Sequence, residues 1–212
     1  MNFLKCTTEK YNILYARWID AEPGRLLDLA KFDPTKDRLL DLCGGTGAVS
    51  DEAMRRGKIE RQPILIDLNP RNNSYVHSVR GDAQSVDTYV GLPQCSVVVI
   101  RQAMAYLDPQ KTALALTTSG ILTRRAHIAF NLFAAPRWGK KSYDHKGRHY
   151  FEASGFIGNK VGHIQACRGS GFDISVFRYT DPKEVVKKME FAFDLVKFVE
   201  DGKSVRVLMQ SR

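Results

Sequence analysis

The sequence predicts an open, mostly parallel α/β sheet with helices on both of its faces. Three short segments are almost entirely apolar, as strands buried on both faces of a sheet are: Arg38–Cys43, Pro63–Pro70 and Cys95–Ile100. Helical patterns at Val49–Arg56 and Pro109–Leu122 alternate with them. Strands that alternate with helices pair in parallel, and the helices then cover both sides of the sheet.

The segments around this core predict further elements. Residues 8–31 have helical spacing of apolar residues and are expected to form a helix broken at Pro23-Gly24. Tyr75–Val79 and Ala126–Phe133 are expected to be strands. Asp181 is the predicted N-cap of a last helix, and the chain then forms a hairpin. The hairpin strands are Asp194–Glu200 and Ser204–Met209, turned by Asp201-Gly202.

A second region differs in pattern from the first. Residues 135–158 are rich in proline, glycine, aromatic and basic residues. Segments with period-2 alternation overlap and follow them, separated by glycine-containing turns, which is typical of antiparallel strands. These segments are Arg148–Ser154, Val161–Cys167 and Asp173–Tyr179.

Composition narrows the class of protein. The chain has 212 residues, 43% apolar and 26% charged, which predicts one globular domain. No apolar run approaches the roughly 18 residues of a membrane span. The four cysteines are widely separated, which favours free thiols over a zinc site or a disulfide framework. We therefore expect a cytoplasmic protein with no metal and no membrane attachment.

Positive charge is concentrated in one part of the chain. The net charge is +9, and residues 101–180 carry 12 basic against 4 acidic residues. Residues 1–100 carry 13 of each. The segment 101–180 is therefore expected either to meet an acidic partner or to form a basic surface without one.

A glycine-rich loop follows the first apolar strand, in LLDLCGGTGAVS at residues 39–50. A nucleoside triphosphate loop needs a lysine that is missing here. A dinucleotide loop needs a third glycine, and Ser50 stands in its place. Asp41, at the end of the strand, would also repel a pyrophosphate. The cationic sulfonium and ammonium groups of S-adenosylmethionine suit this acid better.

The stretch LLDLCGGTG resembles motif I of class I S-adenosylmethionine-dependent methyltransferases, with Cys43 where a glycine is commonest. Asp67 in LIDLNP resembles the acid that takes the ribose hydroxyls, and Asp82 in Gly81-Asp82-Ala83 resembles the acid that takes the adenine amino group. Cys95–Ile100 with Arg101-Gln102 resembles strand four, whose end faces the sulfonium.

This resemblance implies a Rossmann-like fold with a seven-stranded, mostly parallel sheet and a small antiparallel excursion after strand five. A single methyltransferase domain is expected, with a helical lid (1–36), a cofactor-binding core (38–133), a substrate-side insertion (134–180) and a terminal helix and hairpin (181–212). The cofactor residues implied are Asp41, Cys43, Gly44, Gly45, Gly47, Asp67, Leu68, Asp82, Ala83, Arg101, Gln102 and Tyr15.

Candidate catalytic residues follow from the same alignment of elements. Gln102 and Tyr106 come just after strand four, although Tyr106 could instead pack in the core. His149 in KGRHYFE could act as a general base near pH 7 or lie on a basic surface. Candidate substrate-binding residues are Arg137, Trp138 and Tyr150, with Lys140 and Lys141 beside them.

Three functions remain open. The first is methyl transfer to an oxygen or nitrogen of a small, acidic or aromatic molecule. The second is methylation of RNA or another nucleic acid through the basic segment, although the strand-four end IRQAMAY lacks the signature of enzymes that methylate exocyclic base amines. The third is a non-catalytic cofactor-binding protein. A monomer or a homodimer is expected.

Overall fold

The computed structural model describes residues 13–14, 16–70, 74–133, 139–157, 160–201 and 204–212. The chain divides into two compact units. We call Glu22–Ala134 with Thr180–Arg212 the parallel-sheet unit, and Met1–Ala21 with Ala135–Tyr179 the antiparallel unit.

The described residues contain eleven strands and four α-helices. The strands are β1 (Leu39–Leu42), β2 (Ile64–Asp67), β3 (His77–Arg80), β4 (Cys95–Ile100), β5 (Leu122–Phe133), β6 (Gly139–His145), β7 (Arg148–Ile157), β8 (Lys160–Cys167), β9 (Gly171–Arg178), β10 (Phe193–Asp201) and β11 (Ser204–Ser211). The helices are α1 (Ala16–Leu27), α2 (Ala48–Arg55), α3 (Pro109–Thr118) and α4 (Pro182–Met189), with a short 3-10 helix at Val86–Tyr89.

Seven strands of the parallel-sheet unit form one sheet in the order β10-β11-β5-β4-β1-β2-β3. Each neighbouring pair within the order β3-β2-β1-β4-β5 is parallel. Strand β11 is antiparallel to both β5 and β10. The predicted seven-stranded, mostly parallel sheet is therefore confirmed.

Buried apolar side chains cover both faces of this sheet. One core cluster joins strand residues to α3, α4 and the 3-10 helix, and it includes Leu40, Leu42, Val98, Ile100, Leu116 and Val185. The other joins alternate strand residues to α1 and α2, and it includes Leu26, Leu27, Leu39, Val49, Ala53 and Val99. Helices on both faces are what short all-apolar strands require, since each side chain needs cover.

Helix α1 corrects the expectation of a break at Pro23-Gly24. The helix continues through Pro23 to Leu27. Proline inside a helix costs about 3 kcal/mol because it removes one backbone hydrogen bond and crowds the preceding turn. Leu26 and Leu27, both fully buried, supply the packing that offsets this cost.

The boundary between helix α3 and strand β5 differs from the predicted one. Helix α3 ends at Thr118 rather than at Leu122, and Gly120 follows in the left-handed region with a φ of +73°. Glycine adopts this conformation without strain, so it ends the helix. Strand β5 then begins at Leu122, four residues before the predicted start.

The antiparallel unit contains a four-stranded sheet in the order β6-β7-β8-β9, with every neighbouring pair antiparallel. This confirms the predicted excursion after β5. Strand β6 was not expected, because GKKSYDH carries almost no apolar residues. An edge strand needs no apolar alternation of its own, since backbone hydrogen bonds to one neighbour place it.

Among the described residues, no helix combines the length and the apolar character that a membrane span needs.

Candidate functional site

The acid that precedes the glycine loop is buried. Asp41 lies in β1 and is not exposed to solvent. Its Oδ2 accepts hydrogen bonds from the backbone N–H of Ser50 at 3.1 Å and from Ser50 Oγ at 3.0 Å, whereas Oδ1 has no partner. Burial raises the pKa of Asp41 to about 6. A buried carboxylate with an unused oxygen beside a loop is a candidate contact for a cationic ligand.

The loop glycines serve different purposes. A side-chain carbon at Gly44 would overlap the carboxylate of Asp41 and the side chain of Leu65, so this glycine allows the loop to pack on the strands beneath it. Gly45 and Gly47 have φ angles of +53° and +79°. The nearest atom to a side-chain carbon at Gly45 would be 4.0 Å away, so a ligand could approach the backbone there.

Cys43 also adopts the left-handed conformation, with a φ of 58°. Its backbone N–H donates to the carbonyl oxygen of Ile66 at 2.7 Å, which holds the turn in place. A glycine would adopt this conformation with less strain, which gives a physical reason why glycine is commonest at this position of the motif.

Asp67 closes β2 and contacts the loop directly. Its Oδ2 accepts from the backbone N–H of Gly45 at 3.0 Å, and its Oδ1 accepts from that of Asn69 at 2.8 Å. Each oxygen keeps further acceptor capacity for a ligand hydroxyl. Leu68, the next residue, is 70% exposed. The Asp67 carboxylate and the exposed aliphatic side chain of Leu68 are therefore neighbours at the carboxyl end of β2.

A second turn joins this end of the sheet through Gly81, whose N–H donates to the backbone oxygen of Asp67 at 3.0 Å. Asp82 is exposed, and its Oδ1 accepts from the N–H of Gln84 at 2.9 Å. The carbonyl oxygen of the buried Ala83 accepts from the Tyr89 hydroxyl at 2.6 Å. These bonds hold the Asp82–Ala83 backbone in place beside β2.

The three carboxylates all affect the thiol of Cys43. Burial, followed by the charges of Asp67, Asp41 and Asp82, raises the pKa of the Cys43 thiol to about 12. Asp41, Asp67 and Asp82 therefore all lie close enough to the loop to act on the Cys43 thiol. Carboxylates gathered in this way favour a cation and disfavour a pyrophosphate.

The end of β4 adds a half-buried arginine, Arg101. Nη1 of Arg101 is buried without a hydrogen-bond partner. Its charge lowers the pKa of Asp41, although burial has the larger, opposite effect on that group. The site therefore holds an unpaired guanidinium nitrogen and an unpaired carboxylate oxygen that act on each other, which suits a ligand with both charges.

Gln102 is the turning point after β4, with a φ of 57°. Its backbone N–H donates to Oδ1 of Asn131 at 2.7 Å. Tyr106 is 57% exposed, so it does not pack in the core.

A buried polar network supports this turn, and the sequence analysis missed it. Asn131 in β5 donates from Nδ2 to Oε1 of Glu22 at 3.4 Å. Ser204 Oγ donates to the same oxygen at 3.1 Å, and Nη1 of Arg206 lies 3.7 Å from it. The asparagine inside the apolar run AHIAFNLF was the available signal, because a buried amide in a central strand needs polar partners.

In the antiparallel unit, Nδ1 of His149 lies 2.9 Å from Oδ1 of Asp144, and the histidine side chain is about half exposed. Tyr150 is 1% exposed, its hydroxyl donates to the backbone oxygen of Ile13 at 3.0 Å, and its ring stacks on Tyr143. These contacts make Tyr150 part of the core of this unit.

The remaining candidate residues are those expected to contact the substrate or the cofactor from outside the sheet loops. Lys141 Nζ lies 3.5 Å from Oε2 of the buried Glu152, and Lys140 is exposed. Arg137, Trp138 and Tyr15 lie outside the described residues. Within the described part of the chain, no group of three or more histidine, cysteine, aspartate or glutamate side chains could hold a metal ion.

Comparisons with known proteins agree on the fold. No family model matches the sequence, and no curated protein matches it. Among solved structures, the sugar N-methyltransferase KedS8 from Streptoalloteichus sp. ATCC 53650 is similar with a TM-score of 0.67 at 13% identity, covering 100% of this chain and 95% of that chain. An S-adenosylmethionine-dependent methyltransferase from Aquifex aeolicus gives 0.62 at 12% identity, covering 98% and 100%.

DesVI from Streptomyces venezuelae is similar over 94% of this chain and 96% of its own, with a TM-score of 0.61 at 16% identity. At such identities the likeness concerns the backbone architecture, which matches over almost the whole length of both chains. This chain has the fold of the class I S-adenosylmethionine-dependent methyltransferases.

Proposed function

We propose that the protein is an S-adenosylmethionine-dependent methyltransferase that acts on an oxygen or nitrogen of a small, acidic or aromatic molecule. The observation that carries the proposal is the set of three carboxylates, Asp41, Asp67 and Asp82, around a glycine loop on this fold. S-adenosylmethionine supplies a methyl group activated by a sulfonium, and a negative loop favours that cation over a nucleotide phosphate.

Asp67 is the proposed ribose contact. Its two oxygens are held in place by the N–H groups of Gly45 and Asn69 and retain acceptor capacity for two neighbouring hydroxyls. Leu68, exposed beside it, provides an apolar surface for the adenine ring. Asp82 would accept from the adenine amino group, and the backbone of Ala83 would contact a ring nitrogen.

Asp41 and Arg101 are the proposed contacts for the amino-acid portion of the cofactor. The unpaired Oδ1 of Asp41 is an acceptor for an ammonium group, and the unpaired Nη1 of Arg101 is a donor for a carboxylate. Both atoms are buried, so a ligand that satisfies them removes a cost that the protein alone bears.

Catalysis requires alignment of acceptor, methyl and sulfur, with removal of a proton where the acceptor carries one. The backbone turn at Gln102 and the exposed Tyr106 are the proposed contacts at the methyl group. His149 is the proposed general base. In the tautomer whose Nδ1–H donates to Oδ1 of Asp144, 2.9 Å away, Nε2 is the nitrogen that would accept a proton from the substrate.

An acidic substrate is supported by the surplus of positive charge in residues 101–180. The similar KedS8 is a sugar N-methyltransferase, which supports a small-molecule acceptor here. A screen of acidic and aromatic metabolites for transfer of a labelled methyl group tests this part of the proposal. Transfer to none of them, with transfer to RNA, would contradict it.

The cofactor assignment is tested by calorimetry with S-adenosylmethionine on wild type, Asp67→Ala and Asp194→Ala. Loss of two charge-assisted hydrogen bonds at Asp67 is expected to weaken binding by about 1–3 kcal/mol, or roughly 5- to 150-fold. Asp194 lies in β10 at the opposite edge of the sheet and is 65% exposed, so its removal should leave the affinity unchanged. Equal affinity of all three proteins would refute the ribose contact.

Nucleic-acid methylation is the second candidate, favoured by the same surplus of positive charge. Binding to generic RNA that falls steeply with salt would support it, and absence of binding at low salt would exclude it. A non-catalytic role would show as tight cofactor binding without methyl transfer to any acceptor.

A further inference from the structure

The antiparallel sheet exposes an apolar face. We define the apolar face as Phe151 and Ala153 of β7, Ile164 and Ala166 of β8, and Phe172, Ile174 and Val176 of β9. Its five larger side chains are between 37% and 59% exposed. Isolated exposed apolar residues are ordinary, but these side chains belong to one continuous surface.

The strand register shows that these residues are neighbours. Phe151 pairs with Ala166, which pairs with Phe172 in the next strand. One step along the sheet, Ala153 pairs with Ile164, which pairs with Ile174. Residues two apart on a strand lie on the same face, so the two rows are adjacent and form one patch.

The opposite face of this sheet is buried and mixes polar with apolar side chains. Glu152, His163 and Gln165 are 1%, 6% and 0% exposed, and Tyr150 and Cys167 on the same face are also buried. The sheet therefore covers the face that carries these polar side chains and leaves the apolar face open. Since a solvated sheet normally turns its apolar side inward, the open side is expected to be covered in the functional protein.

The size of the sheet suits an interface between proteins. Strands of about eight residues and four strands in width give a footprint of roughly 500 Å². The accessible area of such a face with its flanking turns is comparable to the roughly 800 Å² that each partner buries in a stable complex.

The shape of the apolar face suits a second copy of itself. Between β7 and β8, the bulky Phe151 and Ile164 lie on one diagonal and the small Ala153 and Ala166 on the other. A two-fold axis in the plane of the face can set the bulky residues of one copy over the small residues of the other. The same surface thus provides both the projections and the recesses.

Charge on β6 also favours self-association. Lys140 pairs with Ala153 and Asp144 with His149, so both charged residues lie on the same face as the apolar patch, toward opposite ends of β6. Both are exposed. If the two copies of β6 run antiparallel across the interface, Lys140 of each copy meets Asp144 of the other, which is complementary in charge.

We propose that the protein forms a homodimer in which the apolar faces of two copies pack against each other around a two-fold axis. This proposal does not depend on the catalytic function.

Sedimentation of the full chain over a wide concentration range tests the proposal, with Ile174→Glu as the disrupting variant and Val196→Glu as its control. Val196, in β10 of the parallel-sheet unit, is 52% exposed against 47% for Ile174, so the two substitutions are matched. Wild type and Val196→Glu are expected to be dimers. A buried, unpaired charge at the centre of the interface should weaken the Ile174→Glu dimer by about 100-fold.

Circular dichroism of the variants at low concentration checks that each is folded. As a second test, Lys140→Glu should weaken the dimer, and adding Asp144→Lys should restore it, because the pair is then reversed but still complementary. A monomeric wild type, an Ile174→Glu variant that stays dimeric, or disruption by Val196→Glu instead would each overturn the proposal. A monomer that binds lipid vesicles through this face would also overturn it.

Discussion

The two sheets of this protein differ in the side chains that they bury. In the parallel-sheet unit, residues such as Leu40 and Val98 are fully buried and apolar residues occupy both faces. In the antiparallel unit, the buried face holds the polar Glu152 and Gln165 beside Tyr150, while Phe172 and its neighbours are exposed. Parallel connections bring a helix to each face, so every position needs an apolar side chain. Hairpin connections bring no helix to the sheet, so either face of an antiparallel sheet can be the covered one.

The comparison shows what alternation along a strand means. Period-2 alternation establishes that a strand has an apolar and a polar side. Which side is covered depends on what packs against the sheet, and the antiparallel unit covers the side that carries Glu152 and Gln165. Three experiments, of decreasing expected effect, test this difference in burial between the two sheets.

The largest effect is expected from buried glutamates in the two units. Glu22→Ala removes the acceptor of Asn131 Nδ2 and Ser204 Oγ. It also removes one of the two acids beside the buried Arg206, which keeps Asp201 at 2.8 Å. Because two buried donors lose their partner at about 1–3 kcal/mol each, we expect a loss of about 3–5 kcal/mol in the free energy of unfolding. Glu152→Ala should cost less, because the side chain of Lys141 is 42% exposed and can turn to water. Denaturant unfolding measures both. Equal losses would show that the two buried networks are equivalent.

An intermediate effect is expected from Asp41, the charged exception within the apolar parallel sheet. Its pKa is raised from 3.8 to about 6, so the folded state prefers the neutral carboxyl. This preference stabilises the fold below pH 3.8 and is lost as the pH rises through about 6, at a cost of about 3 kcal/mol. Asp41→Asn carries no charge and should avoid that loss.

Unfolding free energies of wild type and Asp41→Asn between pH 4 and pH 8 test this expectation. The difference between the proteins should grow with pH in favour of the variant, even though the variant should bind S-adenosylmethionine more weakly. If the free energies of unfolding of the two proteins change in parallel across this range, the charged form of Asp41 is not destabilised by burial.

The smallest effect is expected from a matched valine-to-threonine pair in the two sheets. Val98→Thr places a hydroxyl at a fully buried position of β4 and should cost about 1–3 kcal/mol. Val176→Thr, at a position 47% exposed, should change stability by less than about 0.5 kcal/mol when measured on dilute protein. Thermal or denaturant unfolding gives both values. A large cost at Val176 in dilute protein would mean that its face is covered within one chain.

The sequence predicted elements best where burial alone decides them. Strand β4 was predicted with its observed bounds, Cys95–Ile100, because an almost entirely apolar run must be buried and therefore forms a central strand of the sheet. Strand β6 was missed because an exposed edge strand carries no apolar signal. The helix was not broken at Pro23, since the burial of Leu26 and Leu27 outweighs a local preference.

The residues of the candidate site also fall into those that the sequence predicted and those that it did not. Asp41, Asp67 and Asp82 could be singled out because each lies at or just after the end of a strand, within a recognisable local pattern. The support behind Gln102 could not, since Glu22 reaches Asn131 across 109 residues of sequence and Ser204 across 182. No local pattern reports a contact of that range.

By itself, the sequence determined the alternation of strands and helices, the glycine loop and the three acids near it. These follow from local chemistry: apolar runs must be buried, and glycine admits conformations that other residues resist. Only the tertiary structure decided that Oδ1 of Asp41 and Nη1 of Arg101 are left unpaired, that a buried network holds the end of β4, and that the antiparallel sheet turns its apolar face outward. Each of these depends on which distant surfaces meet, and local chemistry does not specify that.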